Sequence, residues 1–337
     1  MRRRESLLYF ACLLLAGCRR NQREPAIGEG FVAAASLNLY RDLGPNEPVA
    51  AVAGHGERLE ILERRRKFVR ARRASGETGW TDGELLFSRE QMEELRLLGR
   101  WAAGLPVQGR ASSLAPLNVH TSPSRSAPNL AQIHEGQTVA VAGHKLITEN
   151  GRSEDWSLVV LPGEVAGWVL TRRLVMNIPD EVAQYAEGRR IMAYFPLDAV
   201  RDGQQTRQNW LWATLNRLGQ PYEFDSLRLF VWSLRRKRYE TAFWARNLRG
   251  YYPIEVTSEP RGGYRFSLVA SEKDGPLMRV TYLWQAQRVR VLSRVPVEAP
   301  PPMEPPRPAP PPAAPERSLF DRWRQFLAER LARRKRQ

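Results

Sequence analysis

The fold is decided by two short stretches, Leu37-Asn38-Leu39 and Leu117-Asn118-Val119, which open segments that match when shifted by 80 positions. The match continues through three further pairs: Pro48 and Pro128, Ala51 and Ala131, and Gly56 and Gly136. After each glycine, apolar and polar residues alternate as in a half-buried strand. An aromatic-led strand follows, and the copies close on Gly79-Trp80-Thr81 and Gly167-Trp168-Val169. We therefore predict a β-rich unit that occurs twice.

A helix is predicted between the two copies. Ser88 and Gln91 have the spacing of a capping box, which marks a helix start. Three apolar residues would then share one face: Met92, Leu95 and Leu98. Gly99 is expected to end the helix, and the stretch from there to Ala115 is expected to be loop.

The order of strands, glycine turn and closing Gly-Trp resembles the bacterial SH3-like domain, over residues 31–88 and 111–176. The first copy departs from the family pattern at Phe68, where tryptophan is usual, and at Leu39-Tyr40-Arg41, where the family often reads Val-Arg. The resemblance implies a small barrel of short antiparallel strands. It also implies that each barrel binds cell-wall peptides, or other extended peptides, in a groove lined by aromatic side chains.

Four aromatic residues are the candidates for lining such a groove: Tyr40, Trp80, Trp156 and Trp168. The alternative is that the tryptophans belong to the cores of the barrels. The sequence leaves both possibilities open.

The histidines give no metal site. Val-Ala-Gly-His occurs at both His55 and His144, but under the 80-residue shift His55 matches Glu135, so the similarity is out of register. Together with His120 and His134, these residues lack the spacing of metal ligands. We expect all four on the surface or in turns.

The N-terminus has the pattern of a secretory signal. Three arginines, Arg2 to Arg4, precede an uncharged stretch from Ser6 to Gly17, which is too short to remain as a transmembrane helix. Residues 1–17 are predicted to be a signal peptide that is removed.

The junction Leu15-Ala16-Gly17-Cys18 resembles the lipobox of bacterial lipoproteins. The resemblance implies that Cys18 receives a diacylglycerol, becomes the first residue of the mature chain and carries fatty acids such as palmitate. Several acyl chains would hold the protein on a membrane, since each buried CH₂ contributes about 0.8 kcal/mol. Residues 18–30 would link this anchor to the first barrel.

The chain is strongly basic, with a formal net charge of +16. Removing residues 1–17, which hold three arginines and one glutamate, leaves +14. For an exported protein this charge indicates that the partners are anionic lipid head groups, lipopolysaccharide phosphates or wall polymers rather than nucleic acid. Six arginines are the candidate anion-binding residues: Arg64, Arg65, Arg66, Arg235, Arg236 and Arg238.

Residues 177–297 are predicted to form a third, antiparallel β domain of unknown function, preceded by a short helix from Pro179 to Ala186. Four stretches in it have strand character: 191–195, 227–232, 264–268 and 278–283. Residues 235–242 and 247–253 combine a run of basic residues with bordering aromatic residues, which is consistent with a surface for a phosphorylated or carboxylated partner. The alternative is a solvated turn, with Tyr239, Phe243 and Trp244 in the core.

The tail has two parts. Residues 298–315 are rich in proline and predict an extended linker, and residues 316–337 predict a basic amphipathic helix. Its apolar face includes four candidates for contact with a membrane surface: Phe320, Trp323, Phe326 and Leu327. The helix would lie on an anionic membrane or pack onto the β domain.

Catalysis is predicted to be absent. Residues 145–337 contain no histidine and no cysteine, which excludes a Cys-His hydrolase, a Ser-His-Asp triad and a histidine zinc site there. No catalytic residue, cofactor or metal is expected, although SH3-like domains of exported proteins often accompany a Cys-His wall peptidase.

The fold class predicted is mainly β: two small SH3-like barrels joined by a helical spacer (residues 89–110), an antiparallel β-rich domain, a Pro-rich linker and a C-terminal amphipathic helix. The predicted function is a lipid-anchored envelope protein on the cell membrane or outer membrane, outside the cytoplasm. It would bind peptidoglycan peptides or a protein partner without catalysis. The alternatives are a structural tether between envelope layers and an activator of a wall enzyme, and the oligomeric state stays open.

Overall fold

The structure is a computed structural model that describes residues 24–149, 151–273 and 275–305. The predicted signal peptide, the predicted lipidation site Cys18 and the predicted C-terminal helix with Phe320, Trp323, Phe326 and Leu327 lie outside these residues. Within them the chain is mainly β and forms three antiparallel sheets, which confirms the predicted fold class. No helix in these ranges has the length and the apolar character needed to cross a lipid bilayer.

The first sheet contains seven strands in the spatial order β3-β2-β6-β5-β4-β1-β7. They are β1 (Gly28–Val32), β2 (Ser36–Tyr40), β3 (Val49–Gly54), β4 (Arg58–Arg65), β5 (Phe68–Arg72), β6 (Thr78–Asp82) and β7 (Leu86–Phe87). Alternation decides which way the side chains point. In β2 the side chains of Leu37 and Leu39 are buried, while those of Ser36, Asn38 and Tyr40 are exposed.

The second sheet repeats this topology strand for strand, in the order β10-β9-β13-β12-β11-β8-β14. Its strands are β8 (Gly109–Ser113), β9 (Leu117–His120), β10 (Asn129–Ile133), β11 (Thr138–Glu149), β12 (Arg152–Leu161), β13 (Val165–Leu170) and β14 (Leu174–Met176). The internal repeat of the sequence therefore corresponds to a repeated strand topology. Strand β8 lies where a loop was predicted, because its alternating small residues, Gly109 to Ser113, carry little hydrophobic signal.

Helix α1 (Arg89–Ala103) lies between these sheets along the chain. Its N-terminus has the predicted capping box: Ser88 Oγ accepts a hydrogen bond from Gln91 N at 3.2 Å, and Gln91 Oε1 accepts one from Ser88 N at 2.9 Å. Its apolar face packs on the second sheet, with Met92, Leu95 and Leu98 buried.

Gly99 does not end this helix, contrary to the sequence-based prediction. The helix continues to Ala103 and is capped by Gly104. A Cβ at Gly99 would lie 2.0 Å from the carbonyl oxygen of Glu164, in the turn between β12 and β13. Gly99 is thus required for close packing of the helix on the second sheet.

The third sheet is a meander of seven strands paired in sequence order. After the short helix α2 (Asp180–Ala183) come β15 (Arg190–Asp202), β16 (Gln205–Leu215), β17 (Phe224–Ser233), β18 (Arg238–Ser258), β19 (Tyr264–Glu272), β20 (Met278–Gln285) and β21 (Arg288–Pro296). The four predicted stretches fall in β15, β17, β19 and β20. Large aromatic side chains fill its core, including Phe224, Tyr252, Phe266 and Trp284.

Strand β21 forms one edge of the third sheet, because it pairs only with β20. Three of its apolar side chains are about half exposed: Val291, Leu292 and Val295. Arg288, Arg290 and Arg294 lie on the same strand and are also exposed. Of these, Arg294 contacts Glu272 at 3.3 Å.

The second and third sheets are joined through the buried side chain of Gln108. Its Nε2 donates to the carbonyl oxygen of Ile254 at 3.2 Å, and its Oε1 accepts from Ile254 N at 2.9 Å. The side chain therefore supplies both hydrogen bonds that the backbone of Ile254, fully buried on β18, needs there. Close by, Tyr194 N donates to Gln108 O at 2.9 Å.

Met303 extends the body of the protein into the predicted Pro-rich linker. Its side chain packs against the aromatic core of the third sheet and against the cluster beneath α1. It also lies against Gly143, where a Cβ would approach its Sδ to 2.5 Å. The first residues of the predicted linker are therefore held on the body; the remainder, from residue 306, lies outside the described residues.

We predict that Gln108→Leu lowers the free energy of unfolding by about 2 to 4 kcal/mol, because it leaves the buried N–H and C=O of Ile254 without partners while keeping the side-chain volume. Urea unfolding followed by tryptophan fluorescence measures this loss. The matched control is Gln132→Leu on an exposed position of β10, which should change stability by less than about 0.5 kcal/mol. Equal effects of the two substitutions would contradict the assigned role.

Candidate functional site

Tyr40 and Trp80 lie side by side on the outer face of the first sheet. They are register partners across β2 and β6, and Tyr40 follows the outward alternation of β2. The Tyr40 side chain is 38% exposed, whereas Trp80 is only 5% exposed. The guanidinium of Arg65 covers the Trp80 ring at 5.0 Å from its centroid. Tyr40 therefore presents an aromatic face to solvent beside a buried tryptophan.

The glycine before each closing tryptophan allows two strands to cross closely. A Cβ at Gly79 would lie 2.8 Å from the Cβ of Leu39 and 2.9 Å from Tyr40 O. In the second sheet, a Cβ at Gly167 would lie 2.7 Å from His120 O. No other residue fits at these two positions, which explains the Gly-Trp pair that closes both copies.

A cleft of about 920 Å³ opens beside this aromatic pair. Its walls are β2, the loop between β2 and β3, and the end of β6. The aromatic lining consists of Tyr40, Phe68 and Trp80, and the charged lining consists of Asp42, Glu47 and Asp82. The cleft thus joins an aromatic floor to an acidic rim.

Asp82 is held ionised at this rim. Burial opposes the charge, but the hydrogen bond from Glu84 N at 3.0 Å and the ammonium of Lys67 at 2.9 Å outweigh it, so the pKa of Asp82 lies below its ordinary value. The sequence analysis missed Asp82, Asp42 and Glu47. Asp82 follows Trp80 by two residues in the same strand, and this period could have placed it on the same face.

The equivalent cleft in the second sheet has about 620 Å³ and the opposite charge. His120 takes the place of Tyr40 and pairs with Trp168 across β9 and β13. Leu170 takes the place of Asp82, and the charged lining residues are Arg172 and Arg173. The two copies therefore present clefts of different chemistry on the same topology.

Trp156 and Trp168 lie in the core, which is the alternative that the sequence left open. They are 1% and 4% exposed and pack beneath α1. Their neighbour Leu158 also faces the helix, whereas the matching position of the first sheet is Arg70, which pairs with Glu24. No helix of the described residues covers the first sheet at this position, and its surface there is charged.

Of the four predicted groove residues, Tyr40 and Trp80 line a common cleft.

The six candidate anion-binding arginines lie at two exposed turns. Arg64 and Arg65 end β4 and Arg66 follows in the turn to β5; Arg65 binds Glu63 at 2.6 Å. Arg235, Arg236 and Arg238 lie at the turn between β17 and β18, where Arg236 binds Glu240 at 2.8 Å. None of the six lines the clefts of the first two sheets.

His144 is buried, contrary to the prediction of a surface or turn histidine. It lies on β11 with 2% exposure, and its Nε2 is 3.0 Å from Asp155 Oδ1 on β12. Its Nδ1 is 3.6 Å from Glu223 Oε1, which is too long for a good hydrogen bond but within ion-pair distance. The sequence could not show this, because the two carboxylates are 11 and 79 residues away along the chain.

The His144 cluster joins the second sheet to the third. Asp155 Oδ2 accepts from Gly219 N at 2.9 Å, and Glu223 accepts from Tyr252 N at 3.2 Å. Burial alone would lower the pKa of His144, but the hydrogen bond to Asp155 and the charge of Glu223 raise it above its ordinary value of 6.5. Among the described residues no group of His, Cys, Asp and Glu is arranged to hold a metal ion.

The chain matches no known protein-family model and no curated protein. Among the solved structures that match, three are each 9% identical to this chain. NlpC2 from Trichomonas vaginalis matches over 65% of this chain and 96% of its own, with a TM-score of 0.17. An NlpC/P60 family protein from Bacillus cereus matches over 64% and 93%, with a TM-score of 0.22. NlpC1 from Trichomonas vaginalis matches over 63% and 86%, with a TM-score of 0.16.

These matches overturn the prediction that the protein is not an enzyme, since NlpC/P60 is a family of cysteine peptidases. At such TM-scores the likeness carries no argument about individual residues. The only two cysteines of the sequence, Cys12 and Cys18, lie outside the residues that the structure describes.

We predict that the pH dependence of stability includes a contribution from His144. Because its pKa is raised in the folded state, protonated His144 stabilises the fold at acidic pH, and this contribution is lost as pH rises through the folded pKa. His144→Gln should therefore flatten the fall of the unfolding free energy between pH 6 and pH 9, measured in urea. His134→Gln, on an exposed histidine, is the control; identical pH profiles for wild type and His144→Gln would refute the prediction.

Proposed function

We propose that this protein is an envelope lipoprotein that binds an extended peptide carrying a cationic group in the cleft of the first sheet. The observation that carries the proposal is the exposed ring of Tyr40, which lies beside buried Trp80 in a cleft with three acidic lining residues. The resemblance to SH3-like domains agrees with a peptide as ligand.

The dimensions and lining of the cleft support a peptide rather than a small ion. Its volume of about 920 Å³ accommodates several residues. An exposed tyrosine offers apolar area with a polar end, which is typical of binding hot spots. Ser36 and Asn38 point outward along β2 beside it and offer polar groups to a peptide backbone.

The acidic rim favours a ligand with a free amino group. Asp42, Glu47 and Asp82 converge on the cleft, and the lowered pKa of Asp82 keeps it charged at neutral pH. Among envelope components, wall peptides with a free side-chain amine have this chemistry. The basic second cleft, with Arg172 and Arg173, would instead accept a carboxylate of a different ligand.

Placement in the envelope is supported by the N-terminal sequence. A basic start, a short apolar stretch and the order Leu15-Ala16-Gly17-Cys18 together favour acylation of Cys18. The net charge of +14 for the mature chain suits a surface of anionic lipid or wall polymer. We place the protein on the cell membrane or the outer membrane, outside the cytoplasm.

Replacement of Tyr40 tests the binding site. We predict that Tyr40→Ala weakens retention of the full chain on purified peptidoglycan at least tenfold, the effect of losing about 1.4 kcal/mol. Because Tyr40 is exposed, the fold should be kept, and a thermal unfolding curve checks this. Retention is measured by sedimentation in detergent over a series of salt concentrations.

His120→Ala is the matched control, since His120 occupies the equivalent place in the second sheet. It should leave retention within twofold of wild type. Wild-type chain that fails to sediment at any ionic strength, or Tyr40→Ala that sediments like wild type, would refute the assignment of a wall peptide to this cleft. N-acetylation of the wall amines should reduce retention if the acidic rim selects them.

Replacement of Cys18 tests the anchor. We predict that Cys18→Ser abolishes incorporation of labelled palmitate in bacterial cells, because the thiol is the only acceptor that the lipobox resemblance provides. Cys12→Ser is the matched control and should incorporate label as wild type does, since Cys12 lies within the predicted signal peptide. Equal labelling of Cys18→Ser and wild type would refute the lipid anchor.

A further inference from the structure

A further concave site, separate from the two clefts described above, lies on the third sheet, far from the arginine turn between β17 and β18. It has a volume of about 330 Å³ and lies where β17 begins and β18 reaches its middle. The strands separate it from Arg235 and Arg236 by roughly 23 Å, at about 3.3 Å per residue. We call it the third-sheet pocket; it is lined by Arg189, Asn216, Tyr222, Asp225, Ser226, Trp244, Arg246, Asn247, Leu248, Arg249 and Lys273.

The pocket is strongly basic. Four of its side chains are cationic, and Asp225 is the only acid in its lining. Both oxygens of Asp225 are already engaged, one by the guanidinium of Arg189 and the other by Asn216 N at 3.0 Å. The Asp225 carboxylate therefore balances the charge of Arg189. It balances no other cation of the pocket.

Trp244 holds Arg246 at the mouth of the pocket. The guanidinium carbon of Arg246 lies 3.2 Å from the centre of the indole ring, and that of Arg228 lies 4.1 Å from it. The ring itself is fixed, because its Nε1 donates to Ser226 Oγ at 2.8 Å. Stacking on an aromatic ring leaves the N–H groups of the guanidinium available for an anion.

Within the described residues, Arg246 and Lys273 have no carboxylate within ion-pair distance. Lys273 is fixed at the backbone, where its N–H donates to Asn247 O at 3.2 Å. The side-chain amides of Asn216 and Asn247 also line the pocket and make no hydrogen bond in this part of the chain. Cationic and amide donors thus converge on one small volume.

From this arrangement we infer that the third-sheet pocket binds a phosphate ester. A guanidinium and an ammonium that lack carboxylate partners match the charge of phosphate, and planar Arg246 can bind two of its oxygens at once. Tyr222 and Trp244 supply a surface on which the alcohol portion of the ester can lie. A lipid head group and a soluble sugar phosphate share this chemistry. The inference is independent of the peptide cleft on the first sheet.

The test is a titration of the full chain in neutral detergent, by calorimetry, with glucose 1-phosphate and with glucose as its uncharged counterpart. Mixed micelles of the same detergent and phosphatidylcholine, with and without phosphatidylglycerol, form the second arm. We expect saturable binding of the sugar phosphate or of the phosphatidylglycerol micelles, and none of glucose. The arm that binds more tightly identifies the source of the phosphate, and absence of binding in both arms overturns the inference.

The pocket is tested by the double variant R246Q/K273Q, which should weaken binding at least tenfold. The matched control R235Q/R238Q removes the same charge from the exposed turn and should leave affinity within twofold. Equal weakening by both variants would show a general charge effect and overturn the inference, as would no weakening by R246Q/K273Q. Because Arg246 and Lys273 are exposed, the unfolding curve of R246Q/K273Q should coincide with that of wild type. W244F is an additional variant that keeps both charges but loses the indole hydrogen bond to Ser226.

Discussion

The paired hydrogen bonds between the buried amide of Gln108 and the backbone of Ile254 fix how the third sheet lies against the second. A buried strand cannot leave its polar groups unpaired, so the place where β18 meets the second sheet is set by where Gln108 can reach. The His144 cluster makes a second junction between the same two sheets. Together the two junctions hold the third sheet against the second.

The two copies of the repeat show how one topology acquires different surfaces. Their strand orders are identical, and both need a glycine where two strands cross. They differ where α1 lies: Leu158 faces the helix, and Arg70 occupies the uncovered counterpart. Covering one sheet with a helix turns an outer face into core, and the other sheet keeps an open cleft with charged walls.

Local patterns predicted much of the fold. Alternation identified the repeat and four strands of the third sheet, and the capping box placed the start of α1 at Ser88. The sequence missed what depends on distant contacts. Gly99 was interpreted as a helix end because its close approach to Glu164 cannot be read from neighbouring residues, and β16 and β18 were missed because their polar positions obscure the alternation.

The site was predicted less completely for the same reason. Tyr40 and Trp80 were found because the repeat marks them, but the acidic rim includes loop residues that no periodicity reveals. Burial of His144 follows from carboxylates on other elements, and the third-sheet pocket assembles residues from four separate segments. Charge recognised along a sequence does not show which charges converge, as the separation of Arg235 from Arg246 illustrates.

The exposed strand β21 affects the tendency of the protein to aggregate. An uncovered sheet edge with valines and a leucine facing water is a template for pairing with another molecule. Arg288, Arg290 and Arg294 on that strand give approaching copies the same charge, and Pro296 removes a backbone donor at its end. The like charges on this strand therefore oppose edge-to-edge pairing between copies of the chain.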